Sequence, residues 1–418
     1  MKQGALLAQE LGEAARRVAR VAAGRSLSDE RAGPPRGALL DLTHGTLRLY
    51  GRVPAIVREL SRRGEPDALV QALLWCSLYA LDSGRYAQYT VVDQAVRACG
   101  LLERWNAKGY VNALLRSYLR ERVPLEARLR ADPEVRHQHP AWWIDLVRAA
   151  YPQGWEAVLA AGNDHPPMAL RVNRRRASTA AYAARLAAEG IAAKPLGGEA
   201  LLLERPVPVE RLPGFSEGEI SVQDAAAQRA ARFLDLAAGQ RVLDACAAPG
   251  GKSAHILESA DISLTALDID AERCTSMRRN LERLGLSAAV RAADCTRLDA
   301  WWDGKPFERI LADVPCSSSG VVRRHPDLKW LRRASDLRAF ATRQAEILDA
   351  LWRVLAPGGK LLYVTCSVFP HENEELVRSF AARAALARRL PLADGEPSQL
   401  LPGPEHDGFY YALIQKDA

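Results

Sequence analysis

The 418-residue sequence lacks the features that mark membrane-spanning and secreted proteins. Its longest apolar stretch, residues 69–81, is interrupted by Gln71 and Ser77, and it is shorter than the roughly 20 residues that cross a bilayer. The first residues lead into a polar amphipathic helix and show neither the apolar core nor the cleavage site of a secretory signal. We therefore expect a cytoplasmic protein that has no membrane partner.

Paired cysteines are also absent. The seven cysteines are spread along the chain without any Cys-x-x-Cys pair. This spacing argues against a zinc ribbon, and a disulfide scaffold does not suit the cytosol. We expect reduced thiols and no metal site. Because a single buried cysteine is most often just a small apolar side chain, local context must support any catalytic role.

Basic residues are in excess, but only in one part of the chain. The formal net charge is +7, and residues 1–140 carry 22 basic and 15 acidic side chains, so the excess lies entirely there. A localised positive charge favours contact with a polyanion such as nucleic acid. The alternative is a general compositional bias, since arginines outnumber lysines 49 to 8 along the whole chain.

Hydrophobic periodicity divides the chain into three parts. Residues 1–140 contain only helical patterns and predict an all-α bundle. Residues 141–218 mix short helices with an alternating segment, 168–173, and predict a small mixed α/β domain that connects the other two. From residue 219 to 418, strands and helices alternate, which is typical of a doubly wound parallel sheet. The predicted strands of this sheet are 241–244, 263–268, 288–293, 309–313 and 360–365, with a last strand near 410–415.

A turn of small residues follows the first of these strands. Asp244 ends the strand, and residues 245–252 (Ala-Cys-Ala-Ala-Pro-Gly-Gly-Lys) lead into a helix, with glycines that let a ligand approach the backbone. Asp268 ends the next strand 24 residues later, where the ribose of a bound nucleoside lies in such folds. Asp294 follows the third strand, within reach of an adenine edge. An alanine and a proline replace the Gly-x-Gly-x-x-Gly pattern of pyrophosphate cofactors, so the turn favours a nucleoside without phosphates over NAD.

Two cysteines follow two further strands. Asp313-Val-Pro-Cys316 ends one strand and Thr365-Cys366 ends the next, and the carboxyl ends of neighbouring parallel strands line one crevice. The cysteines are therefore expected to face one another. Cytosine C5 is too weak a nucleophile to attack a sulfonium methyl group, but a thiolate that adds to C6 makes C5 reactive. A base must then remove the C5 proton, and Asp313 is placed to stabilise the changing charge near N3.

These segments resemble a known family. Residues 244–252, 313–317 and 363–368, together with Glu372-Asn373, look like the signatures of the NOL1/NOP2/Sun RNA cytosine-C5 methyltransferases. Residues 323–330 (Arg-Arg-His-Pro-Asp-Leu-Lys-Trp) resemble the bacterial Sun branch, which modifies 16S ribosomal RNA. Residues 110–116 are similar to the NusB-like RNA-binding domain of that branch. Val314 departs from the family pattern, in which alanine is commoner.

The resemblance implies a multi-domain fold: an all-α NusB-like N-terminal bundle, a small mixed α/β linker domain, and an α/β Rossmann-like class I methyltransferase domain. It implies that Cys366 is the nucleophile, that Cys316 assists proton removal and release, and that Asp313 contacts the cytosine with Lys252 nearby. The implied cofactor is S-adenosyl-L-methionine, and the partner is 16S rRNA, naked or in early assembly, bound by a monomer. The implied donor-binding residues are Cys246, Ala247, Ala248, Pro249, Gly250, Gly251, Lys252, Asp268, Asp294 and Asp313.

Two basic clusters are candidates for RNA contact. Arg171 and Arg174 flank Asn173, and Arg323, Arg324 and Lys329 follow the Cys316 loop. Both clusters could bind phosphates beside a flipped base. The alternative is a solvated surface.

Other functions remain open from the sequence alone. The chain could modify tRNA or another RNA, or it could be a non-catalytic ribosome-assembly factor on a methyltransferase fold. An intact Cys316, Cys366 and Asp313 argue against the latter, since a binding module has no use for two thiols there. A dehydrogenase that uses NAD is disfavoured by the turn at residues 248–249.

Overall fold

The computed structural model describes residues 2–29, 37–61, 64 and 66–418. The chain divides into two compact units. One unit comprises residues 1–164 with 322–334, and the other comprises 165–321 with 335–418. These units follow contacts rather than sequence order, so the predicted boundaries near residues 140 and 218 stay predictions.

The first unit is helical throughout its described residues. Its core forms where α1 (Lys2–Ala22) packs against α4 (Ala68–Asp82) and α5 (Gln88–Leu101), around side chains such as Leu11, Val18 and Leu73. Asp67 caps α4 by accepting hydrogen bonds from the amides of Leu69 and Val70, which otherwise lack partners in the first turn. The helices of this unit are α1 Lys2–Ala22, α2 Gly37–Arg48, α3 Val53–Leu60, α4 Ala68–Asp82, α5 Gln88–Leu101, α6 Lys108–Leu129, α7 Pro133–His137, α8 Ala141–Ala150 and α9 Trp155–Ala161.

A short segment from the second half of the sequence belongs to this helical unit. Residues 322–334 leave the sheet domain after the Cys316 loop, and a short helix lies within them at Leu328–Leu331. The indole of Trp330 donates a hydrogen bond to the carbonyl of Leu47 at 2.9 Å and packs against Tyr50, with ring centroids 5.2 Å apart. The sequence alone predicts that this segment belongs to the sheet domain, because residues 322–334 lie between strands of that domain in the sequence.

The second unit begins with a small antiparallel sheet. Its strands are β1 Met168–Val172, β2 Ala193–Gly197, β3 Ala200–Leu203 and β4 Ile220–Val222, in the order β2-β3-β1-β4, with helix α10 (Thr179–Ala188) in the same part. Leu170, Tyr182 and Leu201 are buried in its core. The predicted small mixed α/β domain is thus confirmed as a fold, while its bounds, residues 141–218, stay a prediction.

A larger sheet carries the site. Its neighbouring strands follow the order β10 (Ala387–Leu390), β12 (Phe409–Lys416), β9 (Leu355–Thr365), β8 (Phe307–Asp313), β5 (Arg241–Asp244), β6 (Ser263–Asp268) and β7 (Ala289–Ala292). The strands β5 to β9 are parallel. β9 is buried on both faces through residues 361–364, as parallel strands between helix layers are. The elements are α11 Ala225–Phe233, β5 Arg241–Asp244, α12 Gly251–Ser259, β6 Ser263–Asp268, α13 Ala271–Leu284, β7 Ala289–Ala292, β8 Phe307–Asp313, α14 Leu328–Leu331 in the helical unit, α15 Ala334–Val354, β9 Leu355–Thr365, α16 Glu374–Arg383, β10 Ala387–Leu390, β11 Gln399–Leu400 and β12 Phe409–Lys416.

The predicted parallel sheet includes one antiparallel strand near its edge. β12 runs antiparallel between β9 and β10, because it follows short connections rather than a crossover helix. The parallel part reverses its order of strands between β5 and β8. Ligands bind at such a switch point, beyond the carboxyl ends of the strands. In the described residues, no helix is both long and apolar enough to cross a membrane.

Candidate active site

The two cysteines meet beyond the carboxyl ends of β8 and β9. Cys316 follows β8 by three residues and Cys366 follows β9 directly, and adjacent strands bring the loops together. The two sulfur atoms lie 3.4 Å apart. Cys316 is buried and Cys366 is half-buried. The structure thus brings together the pair that the strand order predicts.

The surroundings make the two thiols unequal. The hydrogen bond from Cys316 lowers the pKa of Cys366, and Ser318 and Lys252 act in the same direction against burial and Asp313. The same hydrogen bond raises the pKa of Cys316, and burial and the charge of Glu372 raise it further. Cys366 is therefore the sulfur that ionises first, while Cys316 keeps its proton and donates it to the Cys366 thiolate.

A lysine and a carboxylate lie beside this pair. Lys252 Nζ donates to Asp313 Oδ2 at 2.6 Å and lies 5.1 Å from the ring centroid of Phe409. Burial lowers the pKa of Lys252, but the attraction of Asp313 outweighs it, so the net shift of the pKa is upward. Lys252 therefore stays an ammonium ion that fixes the orientation of the Asp313 carboxylate.

A cavity of about 320 Å³ opens at the switch point and reaches Asp313, Cys316 and Cys366. Half of the predicted donor-binding residues line it: Cys246, Ala248, Asp268, Asp294 and Asp313. The other half do not line the cavity and belong to the turn after β5 and to the start of α12: Ala247, Pro249, Gly250, Gly251 and Lys252. Gly250 has φ +94°, and a Cβ there would meet the side chain of Met277 at 2.7 Å, so this position requires glycine for backbone reasons.

The residues of the cavity suit a nucleoside. Asp268 is nearly buried, and its Oδ2 accepts the Ala248 amide at 3.1 Å, which fixes a carboxylate at the end of β6 where ribose hydroxyls bind in this fold. Ile269 follows it with 71% of its surface exposed, although it lines the cavity. An exposed isoleucine beside a buried acid is suited to packing against a flat base while the acid binds the sugar.

Sequence reasoning missed the partners of the third acid. Arg343 on α15 binds both oxygens of Asp294, at 2.8 and 2.7 Å. Burial raises the pKa of Asp294, but Thr296 and Arg343 outweigh this, so its pKa is lowered and the carboxylate stays charged. Arg343 and Arg273 both line the cavity. No local motif marks either arginine, since each comes from a helix whose place in the fold was unknown.

Asp244 predicts a specific pH dependence of stability. Burial raises its pKa to about 7, and the hydrogen bond from Ser253 opposes the shift. The pKa in the unfolded state is about 3.9, so the native state holds a proton that the unfolded state has lost, and stability falls as pH rises through this window, by roughly 4 kcal/mol over the whole window and by about 3 kcal/mol between pH 5 and pH 8. We expect Asp244→Asn to remove this loss, because the amide stays neutral. Urea unfolding of both proteins near pH 5 and pH 8 tests it; an equal pH effect on both would contradict it.

The RNA-contact prediction is wrong for Arg171. Its side chain has no exposed surface and forms a double hydrogen bond with Glu258, both at 2.8 Å. It also donates to the carbonyl of Gly251 at 2.8 Å and to Gln223. Arg171 therefore fastens β1 of the small sheet to the start of α12, rather than contacting phosphate.

The prediction is also wrong for Lys329 and Arg323. Lys329 is completely buried in the helical unit and donates to the carbonyl of Gln138 at 2.9 Å and to Asn163 at 2.7 Å, and burial lowers its pKa well below the usual value. Arg323 is only 2% exposed. Arg324 is half-buried and Arg174 is more exposed, so these two remain candidates for RNA contact. No group of three or more potential metal ligands occurs within the described part of the chain.

Comparisons with known proteins agree with this arrangement. Three family models match: NusB family over residues 7–120, the RsmF/B-like ferredoxin-like domain over 139–210, and 16S rRNA methyltransferase RsmB/F over 231–415. Ribosomal RNA small subunit methyltransferase B of Pseudomonas putida is 46% identical, covering 93% of this chain and 92% of that protein. The protein of that name from Vibrio cholerae is 42% identical, with 90% and 89% covered.

One solved structure is also similar. A methyltransferase homolog protein from Pyrococcus horikoshii superimposes with a TM-score of 0.61 at 28% identity, over 68% of this chain and 97% of that chain. The three family models confirm the predicted fold class of a NusB-like bundle, a small α/β domain and a methyltransferase domain. Identity above 40% along nine-tenths of the sequence shows that this chain and these relatives share a common ancestor. The chain belongs to the RsmB/F family of 16S rRNA methyltransferases.

Proposed function

We propose that this chain methylates C5 of a cytosine in 16S rRNA and uses S-adenosylmethionine as the methyl donor. The observation that carries the proposal is the pair of thiols 3.4 Å apart, beside the Asp313 carboxylate and at the mouth of the nucleoside-sized cavity. The names of the relatives supply the substrate class. The donor, when bound, supplies an electrophilic methyl group on a sulfonium ion.

The donor would be held by the residues that line the cavity. Asp268 would bind the ribose hydroxyls, and Asp294, held by Arg343, would face the adenine edge. Ile269 and Ile347 offer apolar surface for the base. The remaining wall, formed by Asp313, Cys316 and Cys366, then faces the reacting end of the donor.

Cys366 starts the reaction as the thiolate. It adds to C6 of the flipped cytosine, and the pair of electrons displaced from the C5–C6 bond makes C5 the nucleophile that takes the methyl group. Asp313, held by Lys252 at 2.6 Å, would accept a hydrogen bond from the amino group of the cytosine, and the Lys252 ammonium ion beside it would balance the negative charge that develops at N3.

Cys316 acts after methyl transfer. Once Cys366 is a thioether, it no longer carries the negative charge that holds the proton on Cys316, so the pKa of Cys316 falls and its proton passes to solvent as the one proton that the overall reaction releases. The Cys316 thiolate then removes the C5 proton, and the bond between C6 and Cys366 breaks as the ring recovers its double bond. Cys366 is thus the thiolate at the start of the cycle, and Cys316 is the thiolate when the C5 proton is removed.

Mapping of 5-methylcytosine in ribosomal RNA tests the proposal. Cells that lack the chain should lose the modification at one cytosine of 16S rRNA and regain it with the wild-type chain. Loss of 5-methylcytosine from tRNA or another RNA instead would mean that the same reaction modifies a different RNA. Unchanged methylation in every RNA would overturn the proposal.

The state of the substrate belongs to the same proposal. A target base must leave its stack to reach a cavity at the strand ends, so naked or early-assembly 16S rRNA suits the site better than a finished subunit. We propose that the chain acts on such RNA as a monomer. Methylation of purified 16S rRNA compared with assembled subunits in vitro distinguishes these substrates.

Arg174→Ala is expected to weaken RNA binding without affecting the donor. Its side chain is 58% exposed and its Nη1 lies 3.7 Å from a carboxylate oxygen of Glu199, so the side chain remains accessible to a phosphate. Loss of one phosphate contact should raise the KM for RNA and reduce the slope of log affinity against log salt by about one. Filter binding across a salt series measures this. Arg205→Ala, which changes another exposed arginine, is the control; equal effects of the two changes would contradict a specific contact.

A further inference from the structure

Glu372 forms an unusual contact below the two cysteines. It lies in the short helical turn Pro370–Glu372, and its side chain is completely buried. One carboxylate oxygen accepts a hydrogen bond from the Ser317 amide at 2.8 Å and another from the Gln344 side-chain amide at 3.1 Å. The other oxygen accepts a hydrogen bond from the Ser367 hydroxyl at 2.6 Å. These three donors are uncharged. A buried carboxylate held by neutral groups is costly, so its partners deserve a functional explanation.

The partners of Glu372 are the residues next to the two thiols. Ser317 follows Cys316 and Ser367 follows Cys366. The two serine hydroxyls also lie 3.1 Å from each other. In addition, Gln344 donates to the carbonyl of Pro315 at 2.9 Å, so the Cys316 loop is bound on both sides of the cysteine. One carboxylate therefore joins two loops that are 50 residues apart in sequence.

We propose that Glu372 is a positioning residue for the reaction: it clamps the Cys316 and Cys366 loops so that the two sulfurs stay within hydrogen-bond distance. This inference rests on the proposed function, in which Cys316 must reach both the Cys366 thiolate and the C5 proton. Without the clamp, the loops are still joined by the two serine hydroxyls and by the hydrogen bond from the Gly320 amide to the Cys366 carbonyl at 2.8 Å. The Ser317 amide next to Cys316 then has no carboxylate acceptor, so the Cys316 sulfur can shift away from Cys366. Glu372 does not contact the substrate; it acts through the two loops.

The charge of Glu372 also favours a protonated Cys316 and an ionised Cys366. The hydrogen bond to Cys366 and burial raise the pKa of Cys316, and the charge of the Glu372 carboxylate raises it further. The negative charge thus favours the proton on Cys316, leaving Cys366 as the thiolate. Tyr363, which donates to the Glu372 carbonyl at 2.6 Å, fixes the turn that carries this carboxylate.

Glu372→Ala and Glu372→Gln separate the clamp from general stability. Glutamine can still accept from Ser317 and Gln344 with its oxygen and donate to the Ser367 hydroxyl, so it should keep most activity. Alanine should lower kcat about 100-fold, as expected for a misplacement of roughly 1 Å, without changing the KM for the donor. Glu375→Gln, an exposed carboxylate three residues away, is the matched control.

The pH dependence of Cys366 alkylation gives a readout that stability alone does not change. Iodoacetamide labelling, followed by mass spectrometry of the Cys366 peptide, should show a higher apparent pKa in Glu372→Ala, because the hydrogen bond from Cys316 is lost. If this variant does not fold, Ser367→Ala, which removes one arm of the clamp, should shift the profile in the same direction. Wild-type kcat and an unshifted profile in the folded variant would overturn the inference.

Cys366→Ala is measured in parallel to keep the two proposals distinct. If Cys366→Ala is inactive while Glu372→Ala behaves as wild type, only the clamp is refuted. If Cys366→Ala retains activity, the proposed reaction itself is refuted, whatever Glu372→Ala shows.

Discussion

Cys366→Ala is expected to lower the rate of methyl transfer by about 10⁴-fold or more, the scale seen when other enzymes lose a catalytic nucleophile. The physical reason is that C5 of cytosine has too little electron density to attack the methyl group until a nucleophile occupies C6. Without Cys366, burial and the charge of Glu372 still raise the pKa of Cys316, and Asp313 is bound to Lys252, so neither group replaces the thiolate. Transfer of a labelled methyl group from the donor to 16S rRNA measures the rate.

The affinity for the donor separates this effect from damage to the site. Cys366 lies at the reacting end of the cavity, and Asp268 and Asp294 lie at the other strand ends, so calorimetric binding of the donor should be retained. Cys99→Ala, which removes a buried thiol from α5 of the helical unit, is the control and should keep wild-type activity. Substantial turnover by Cys366→Ala would assign the nucleophile to another group.

The strand ends could be predicted because they depend on local signals. The runs 241–244 and 263–268 are short, apolar and followed by turns, and both strands have these bounds in the structure. The meeting of Cys316 and Cys366 follows from the order of parallel strands and needs no knowledge of side-chain packing. Features of this kind are fixed by backbone topology, which periodicity reports well.

The misplaced basic residues show what periodicity does not report. Arginine and lysine are usually exposed, and nothing near Arg171 in the sequence shows that Glu258, 87 residues later, lies opposite it. Lys329 is buried because residues 322–334 pack in the helical unit, where carbonyl oxygens of residues 48 and 138 accept its hydrogen bonds. A partner at long sequence distance overrides the average preference of a residue type.

The same limit applies to the site itself. Glu372 and Arg343 act through contacts between separate elements, so their roles appear only when the loops and α15 are placed. The packing of residues 322–334 also changes how the helical unit should be studied. Deletion of residues 1–140 would expose Lys329 and Trp330, so loss of RNA binding in such a truncation would not by itself identify an RNA surface.

Cys316→Ala is expected to trap the enzyme on its substrate. Cys366 can still add to C6 and the methyl group can still be transferred, but no thiolate remains to remove the C5 proton, so the bond to Cys366 persists. Labelled protein–RNA species should accumulate on a denaturing gel, up to one equivalent per enzyme, while multiple turnover is lost. The double change of Cys316 and Cys366 to alanine should give no such species.

The pH dependence of adduct formation tests whether Cys316 donates the hydrogen bond that stabilises the Cys366 thiolate. The hydrogen bond donated by Cys316 lowers the pKa of Cys366, so its removal raises that pKa, and adduct formation in Cys316→Ala should need a higher pH than in the wild type. A rate of formation with the wild-type pH profile would mean that Cys316 does not stabilise the thiolate. Absence of any adduct across the whole range, with normal turnover, would instead remove Cys316 from the release step, because another base would then be taking the C5 proton.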